Sequence, residues 1–346
     1  MRPPTRLAQA LSGLPPYSGG KRRLLPAIFG LVETVCPYAD WSDIRFADGF
    51  LGAGSVSLAA KALGFAEVLA NDIAQRSAML GRALVANSTH RITHLNALRL
   101  FEQAPAGDTP LIAEHLPEPA ATFAIDTFRH FHGGTFEDVD RDLIGTLLMG
   151  ILLRCFPMGL PAASDATHVA AGDYDRLTGS RLAHYLRTAM RLTTPRSVMQ
   201  AADLINMAIT PGRATVSQAD VFVWLPQIDA EVIYVDPPYG RTQAYETAFR
   251  LIDEFLRSTP LPSSSFSTAT PPLDELLDAC NHIPTLVMSM GNAVFNEHEL
   301  TALVARHRHI ERVLSIPYRH FGSVATATKN TANRELLVLA TKGRNA

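Results

Sequence analysis

The chain has 346 residues, 31 Lys and Arg against 33 Asp and Glu, and a formal net charge of −2. With 47% apolar and 18% charged residues it is no disordered polymer, and its length suits about two domains of ~150 residues each. The charge balance excludes nucleic-acid binding by a uniformly basic coat, though not by a local basic surface.

In chain order, the first candidate element is Tyr17-Ser18-Gly19-Gly20-Lys21, two glycines between an aromatic ring and a cation. By itself it reads as a turn before a predicted helix over 22–35. A short β-type run over 44–48 then enters the turn Gly49-Phe50-Leu51-Gly52-Ala53-Gly54-Ser55. A helix is predicted over 56–63, with Gly64 as its stop. A second strand over 67–71 ends at Asp72. Strand, glycine turn, helix, strand and acid form the opening unit of a doubly wound α/β sheet.

Residues 85–210 lack a strand rhythm and divide by charge. Nine acids and two arginines fall between 100 and 142; five arginines and no acid fall between 176 and 202. A buried helix is predicted over 143–156 between them. The run 143–153 is too short to span a bilayer. We expect an inserted, mainly helical target-recognition domain over 86–209, with 1–85 and 210–346 forming the cofactor-binding catalytic domain.

Downstream, 231–235 is almost continuously apolar, as a strand covered on both faces should be, and runs into Asp236-Pro237-Pro238-Tyr239. The stretch 259–272, rich in Ser, Thr and Pro, reads as a mobile loop. A strand is predicted over 285–290, and an antiparallel edge pair over 310–316 and 335–340. His307-Arg308-His309 shows no evident acid or cysteine partner for a metal site and reads as a surface strand end, so no metal is expected. Cys36, Cys155 and Cys280 are far apart, which makes a reducing, cytoplasmic setting the expectation.

Two motifs carry chemistry. Asp48-x-Phe50-x-Gly52-x-Gly54 has the glycine spacing of a nucleotide-binding turn, with Asp72 placed for a ribose diol. Asp48 at the strand end would repel a pyrophosphate and welcome an α-amino group, which points to S-adenosylmethionine. In Asp236-Pro237-Pro238-Tyr239, two prolines fix the backbone and donate no hydrogen bonds. A carboxylate, the Pro237 carbonyl and the Tyr239 ring together suit an exocyclic amine on a flat ring. Arg187 and Arg191 share a helical face flanked by Arg181, and either ride on phosphates or form a solvated face.

Taken in order, Tyr17 to Lys21, the Asp48–Gly54 turn, Asn71-Asp72 and Asp236-Pro-Pro-Tyr239 resemble the motifs of Dam-type adenine-N6 DNA methyltransferases. Asn333-Arg334-Glu335-Leu336-Leu337 is similar to that family's ending. The resemblance covers roughly residues 15–80 and 215–340. It implies a seven-stranded, mostly parallel, Rossmann-like sheet with an antiparallel edge strand, and S-adenosylmethionine as cofactor. It further implies cofactor contacts at Tyr17 (where the family usually has Trp) and Lys21. Asp48, Phe50, Gly52 and Gly54 would hold the methionine end, Asp72 the ribose and Asp220 the adenine. Asp236, Pro237, Pro238 and Tyr239 would take a flipped adenine in double-stranded DNA, in a restriction or defence setting. The family's Asn/Arg/Gly/Phe-rich middle segment has little counterpart here. Three alternatives stay open: an RNA adenine-N6 methyltransferase, a non-catalytic DNA-binding protein that keeps the fold, and a nicotinamide oxidoreductase.

Overall fold

A computed structural model describes residues 4–17, 20–116, 118–155, 187–238, 249–256, 265–267, 270–292, 295–317 and 333–342. Seven strands are present: β1 Arg45–Asp48, β2 Glu67–Asn71, β3 Ala214–Ser217, β4 Val232–Val235, β5 Thr285–Gly291, β6 His309–Pro317 and β7 Arg334–Thr341. They form one sheet in the order β3-β2-β1-β4-β5-β7-β6. The first five in that order are mutually parallel, and β7 runs antiparallel to both β5 and β6. The antiparallel pair therefore stands at one edge, with the reversed strand second from the end. This is the doubly wound, mostly parallel sheet expected from the sequence.

Apolar residues alternate between two cores. Phe46, Val68, Tyr234, Val287, Leu337 and Leu339 point to one side. Ala47, Ile233, Val235, Leu286, Met288, Leu336 and Val338 point to the other. Burial on both faces explains why 232–235 and 285–290 read as continuous apolar runs. Strand β3 escaped the pattern because it has only four residues, none fully buried.

The helices are α1 Pro4–Ser12, α2 Leu25–Val35, α3 Ser55–Leu63, α4 Gln75–Leu80, α5 His94–Leu98, α6 Ala120–His132, α7 Asp138–Cys155, α8 Pro195–Ala208, α9 Val221–Trp224, α10 Arg250–Phe255, α11 Leu273–Ala279 and α12 Glu297–Ala305. Helix α2 starts three residues later than expected, with Pro26 in its first turn. Helix α3 is flanked by Gly54 and Gly64, both at positive φ. The predicted 143–156 helix falls over 143–155 within α7, which packs on α4 and on a π-helical turn, Gly81–Ala86; Phe156 lies outside the described residues. Helices α5 to α8 share one apolar cluster with the sheet. No described helix is long and apolar enough to cross a membrane.

Two local expectations need correction. Within 259–272, read as a mobile loop, Phe266 is buried against Phe50 and Phe222; burying an aromatic ring outweighs the local Ser/Thr/Pro preference. His307 does have acid partners, because α11 brings Asp274 and Asp278 to its two ring nitrogens, each at 2.9 Å. Its neighbour Arg308 is buried and donates to the carbonyls of Cys280 and Ile283 at the end of α11. This basic residue serves a helix terminus rather than a surface. Among the described residues no group of His, Cys, Asp or Glu could hold a metal ion.

Candidate active site

The strand order reverses between β1 and β4, and doubly wound sheets bind ligands beyond the carboxyl ends of the strands at such a point. Asp48 ends β1, Asp72 follows β2, Asp220 follows β3 and Asp236 follows β4. Four acids named from the sequence thus lie at that edge.

The glycine turn is tied to its neighbours through the main chain. Gly49 N–H donates to Tyr234 O on β4, and Leu51 N–H to Asn71 O on β2. Gly52 and Gly54 have φ of 51° and 72°, a region costly for residues with a Cβ. A Cβ on Gly54 would also stand 3.0 Å from Leu80. Asp72 accepts the N–H groups of Gly52 and Ala74, both at 2.8 Å, and so binds the turn to the start of α4. Burial raises its pKa, and the two N–H bonds oppose that rise.

Asp48 lies deeper, at 1% exposure. It accepts Ser57 Oγ at 2.6 Å and Phe50 N–H at 3.3 Å. Burial pushes its pKa up to about 7; Ser57 and Phe50 oppose the shift, while the charges of Asp236 and Asp72 add to it. Asp48 is therefore a proton-poised knot beneath the turn. A cation arriving nearby would ionise it.

At the far wall, exposed Asp220 caps α9 by accepting Phe222 N–H at 2.8 Å. The buried Asn71 side chain fixes this segment, donating to Ala219 O and accepting from Ala219 N–H. Half-buried Phe50 and Phe222 flank Phe266, edge-on at 5.2 Å and stacked at 5.7 Å respectively. Only Phe50 of this trio was named from the sequence. Phe222 and Phe266 meet it through tertiary contacts with no local signature.

Tyr17 sits against the turn, its ring 3.9 Å from the place a Gly52 Cβ would take. The ring stacks on Phe249 at 4.6 Å, and the hydroxyl lies 3.4 Å from both Ser77 Oγ and Arg76 Nε. Burial raises the Tyr17 pKa. Arg76 also pairs with Asp253 at 2.6 Å and lies over the Phe249 ring. Arg76 was not foreseen; it looks like an ordinary helix residue in the sequence.

Beyond the end of β4, Lys21 Nζ is 2.8 Å from Asp236 Oδ2 and 3.3 Å from Glu335 Oε1. Asp236 keeps 16% of its side chain exposed, and Lys21 keeps 4%. The Tyr17–Lys21 segment, which reads from the sequence alone as a turn, therefore touches the Asp236-Pro-Pro motif through its lysine. Pro237 is buried and Pro238 half-buried. The Tyr234 hydroxyl lies within the same face. Its pKa is raised well above the usual value by burial first, then by Asp236.

Tyr239 and Arg181 lie outside the described residues. Arg187 and Arg191 are both exposed on a helical stretch over 187–192, with Ala189 buried on the opposite face.

Residues 17–107 match the family model of the D12 class N6 adenine-specific DNA methyltransferases. The resemblance read from the motifs is borne out over that segment, which holds Tyr17, Lys21, the glycine turn and Asp72. No curated protein matches the chain. Two solved structures of the rRNA methyltransferase aviRa from Streptomyces viridochromogenes, at 2.4 Å and 1.5 Å, align at 13% identity. They cover 99% of this chain and 94% of that one, with TM-scores of 0.38 and 0.35.

Proposed function

We propose that this protein transfers a methyl group from S-adenosylmethionine to the N6 amine of an adenine flipped out of duplex DNA. The observation that carries the reading is Asp236. It is a partly exposed carboxylate at the end of a buried strand, at the switch point, followed by two prolines and beside the glycine turn. The match of residues 17–107 to an adenine-specific family supports the same reading.

The groups around the turn suit the cofactor. Positive φ at Gly52 and Gly54 brings main chain close to a ligand. Asp72 and Asp220 offer acceptors for a ribose and an adenine edge, and half-buried Phe50 and Phe222 offer faces for the ring. S-adenosylmethionine brings a methyl group already activated by its sulfonium. Asp48, ionised on binding, balances positive charge at the methionine end.

The amine of adenine is a poor nucleophile, because its lone pair is delocalised into the ring. Asp236 accepts one amine N–H and the Pro237 carbonyl the other, which favours a geometry with a freer lone pair. With S-adenosylmethionine held at the turn, its sulfonium would supply the methyl group to that lone pair and keep the C–S electrons, and Asp236 would pass the amine proton to water. In-line positioning contributes ~7 kcal/mol or more. Tyr239 stacks on the extruded base, since a base inside a duplex cannot reach these groups. The helical residues of 86–209 serve as the target-recognition domain, with Arg181, Arg187 and Arg191 on phosphates. The setting is the cytoplasm, in a restriction or defence system.

RNA is the second reading, because the amine chemistry is the same. Competition between labelled DNA and RNA in a methyl-transfer assay decides it. Preferential labelling of DNA supports the proposal; preferential labelling of RNA replaces it.

A further inference from the structure

Glu335 is wholly buried at the second position of β7, directly before the apolar stretch Leu336 to Ala340. A carboxylate in such a place is expensive unless it is paired and hydrogen-bonded. Its Oε1 accepts Ser289 Oγ of β5 at 2.5 Å and lies 3.3 Å from Lys21 Nζ. The same ammonium is 2.8 Å from Asp236. A continuous chain thus runs Ser289, Glu335, Lys21, Asp236, from inside the sheet to the carboxylate assigned above to the target amine.

We propose that Glu335 is a positioning residue for methyl transfer: it shares the Lys21 ammonium and thereby holds Asp236 in the orientation that receives the amine. The inference rests on the functional reading above. Glu335 has no exposure and so acts through Lys21 rather than on substrate. A lysine paired with Asp236 alone would follow that carboxylate as it turned. Burial would also favour loss of its proton. A second carboxylate anchored by β5 and β7 fixes where the ammonium stands and keeps it charged. Among the described residues, Asp48 of β1 and the Tyr234 hydroxyl of β4 are also titratable groups electrostatically coupled to Asp236. Neither carries positive charge, whereas Lys21 brings an ammonium to both Asp236 and Glu335.

The chain has only four lysines, at 21, 61, 329 and 342. NMR of lysine labelled at the side-chain nitrogen therefore follows Lys21 directly, with Lys21→Arg assigning its signal. Glu335→Gln keeps size and an acceptor for Ser289 while removing the charge. The expected result is a fall of at least about one pH unit in the Lys21 titration midpoint. The alkaline limb of the kcat profile should move to lower pH in parallel. The rate constant kcat should fall at least about tenfold, with KM for S-adenosylmethionine changing less than about twofold. Glu335→Asp should recover part of each shift. An unchanged Lys21 titration overturns the proposal, as does a loss of activity that tracks only a lower Tm. If the wild-type chain methylates no adenine, the functional reading fails instead. The lysine titration then decides the Glu335–Lys21 link alone.

Discussion

Asp48, Asp72 and Asp220 all accept main-chain N–H groups, Asp48 together with the Ser57 hydroxyl, whereas Asp236 pairs with the ammonium of Lys21. The first three accept from Phe50, from Gly52 and Ala74, and from Phe222. Their carboxylates shape the turn, the start of α4 and the start of α9. Asp236 pairs with a side chain that a second buried carboxylate also grips. The difference separates two kinds of motif acid. Removing one of the first kind leaves N–H groups without acceptors and so alters the wall itself. Removing Asp236 leaves the wall standing and takes away the group proposed to meet the amine.

The largest expected effect sharpens that contrast. Asp236→Ala should lower methyl transfer by ~10³-fold or more, a loss of oriented acceptor and charge stabilisation, while S-adenosylmethionine still binds. Calorimetry of the variant checks the binding. A loss of cofactor affinity equal to the loss of rate would place Asp236 in the cofactor wall instead.

Asp72→Ala should do the reverse. Two N–H groups lose their acceptor, each at about 1–3 kcal/mol when buried. Cofactor affinity should fall ~10- to 100-fold and Tm should drop by several degrees. A variant with unchanged Tm would show that Asp72 does not support the turn.

The buried Asp48 gives a pH test. Its folded pKa of about 7 stands above the usual carboxylate value, so the folded state holds a proton that the unfolded state has released. Stability from this group is full below pH ~4, is lost as pH rises toward about 7, and is flat above. Asp48→Asn should remove that slope and raise Tm at pH 8 relative to the wild type. Wild-type affinity for the cationic cofactor should strengthen from pH 6 to pH 8, and the Asn variant should show no such gain. Equal pH profiles for the two proteins would remove Asp48 from the linkage.

Much of this arrangement was legible in the residues themselves. Strands β4 and β5 showed as apolar runs because both faces of the sheet are covered. The turn showed because positive φ demands glycine at 52 and 54. What stayed hidden depends on distance along the chain. Glu335 lies more than 300 residues from Lys21 and was noticed only as part of a familiar ending. Phe266 sat in a Ser/Thr/Pro stretch whose local preferences say loop, yet its ring fills the second core. Arg308 reads from the sequence as part of a surface strand end, whereas the fold buries it against carbonyls at the end of α11. Charge counted along a sequence does not distinguish a cation that meets solvent from one that satisfies buried carbonyls.

The smallest expected effect concerns the exposed arginines. Replacing Arg187 and Arg191 with Ser should weaken DNA binding at all sequences and flatten its salt dependence by about two phosphate contacts. An unchanged salt slope would remove both from the interface.

The central claim is that Asp236 and its neighbours methylate adenine in DNA. Nucleoside mass spectrometry of DNA incubated with the wild-type protein and methyl-labelled S-adenosylmethionine tests it most directly, with Asp236→Ala in parallel. The account predicts labelled N6-methyldeoxyadenosine with the wild type and none above background with the variant. Label on another base, no label in DNA, or equal label from the variant would contradict it.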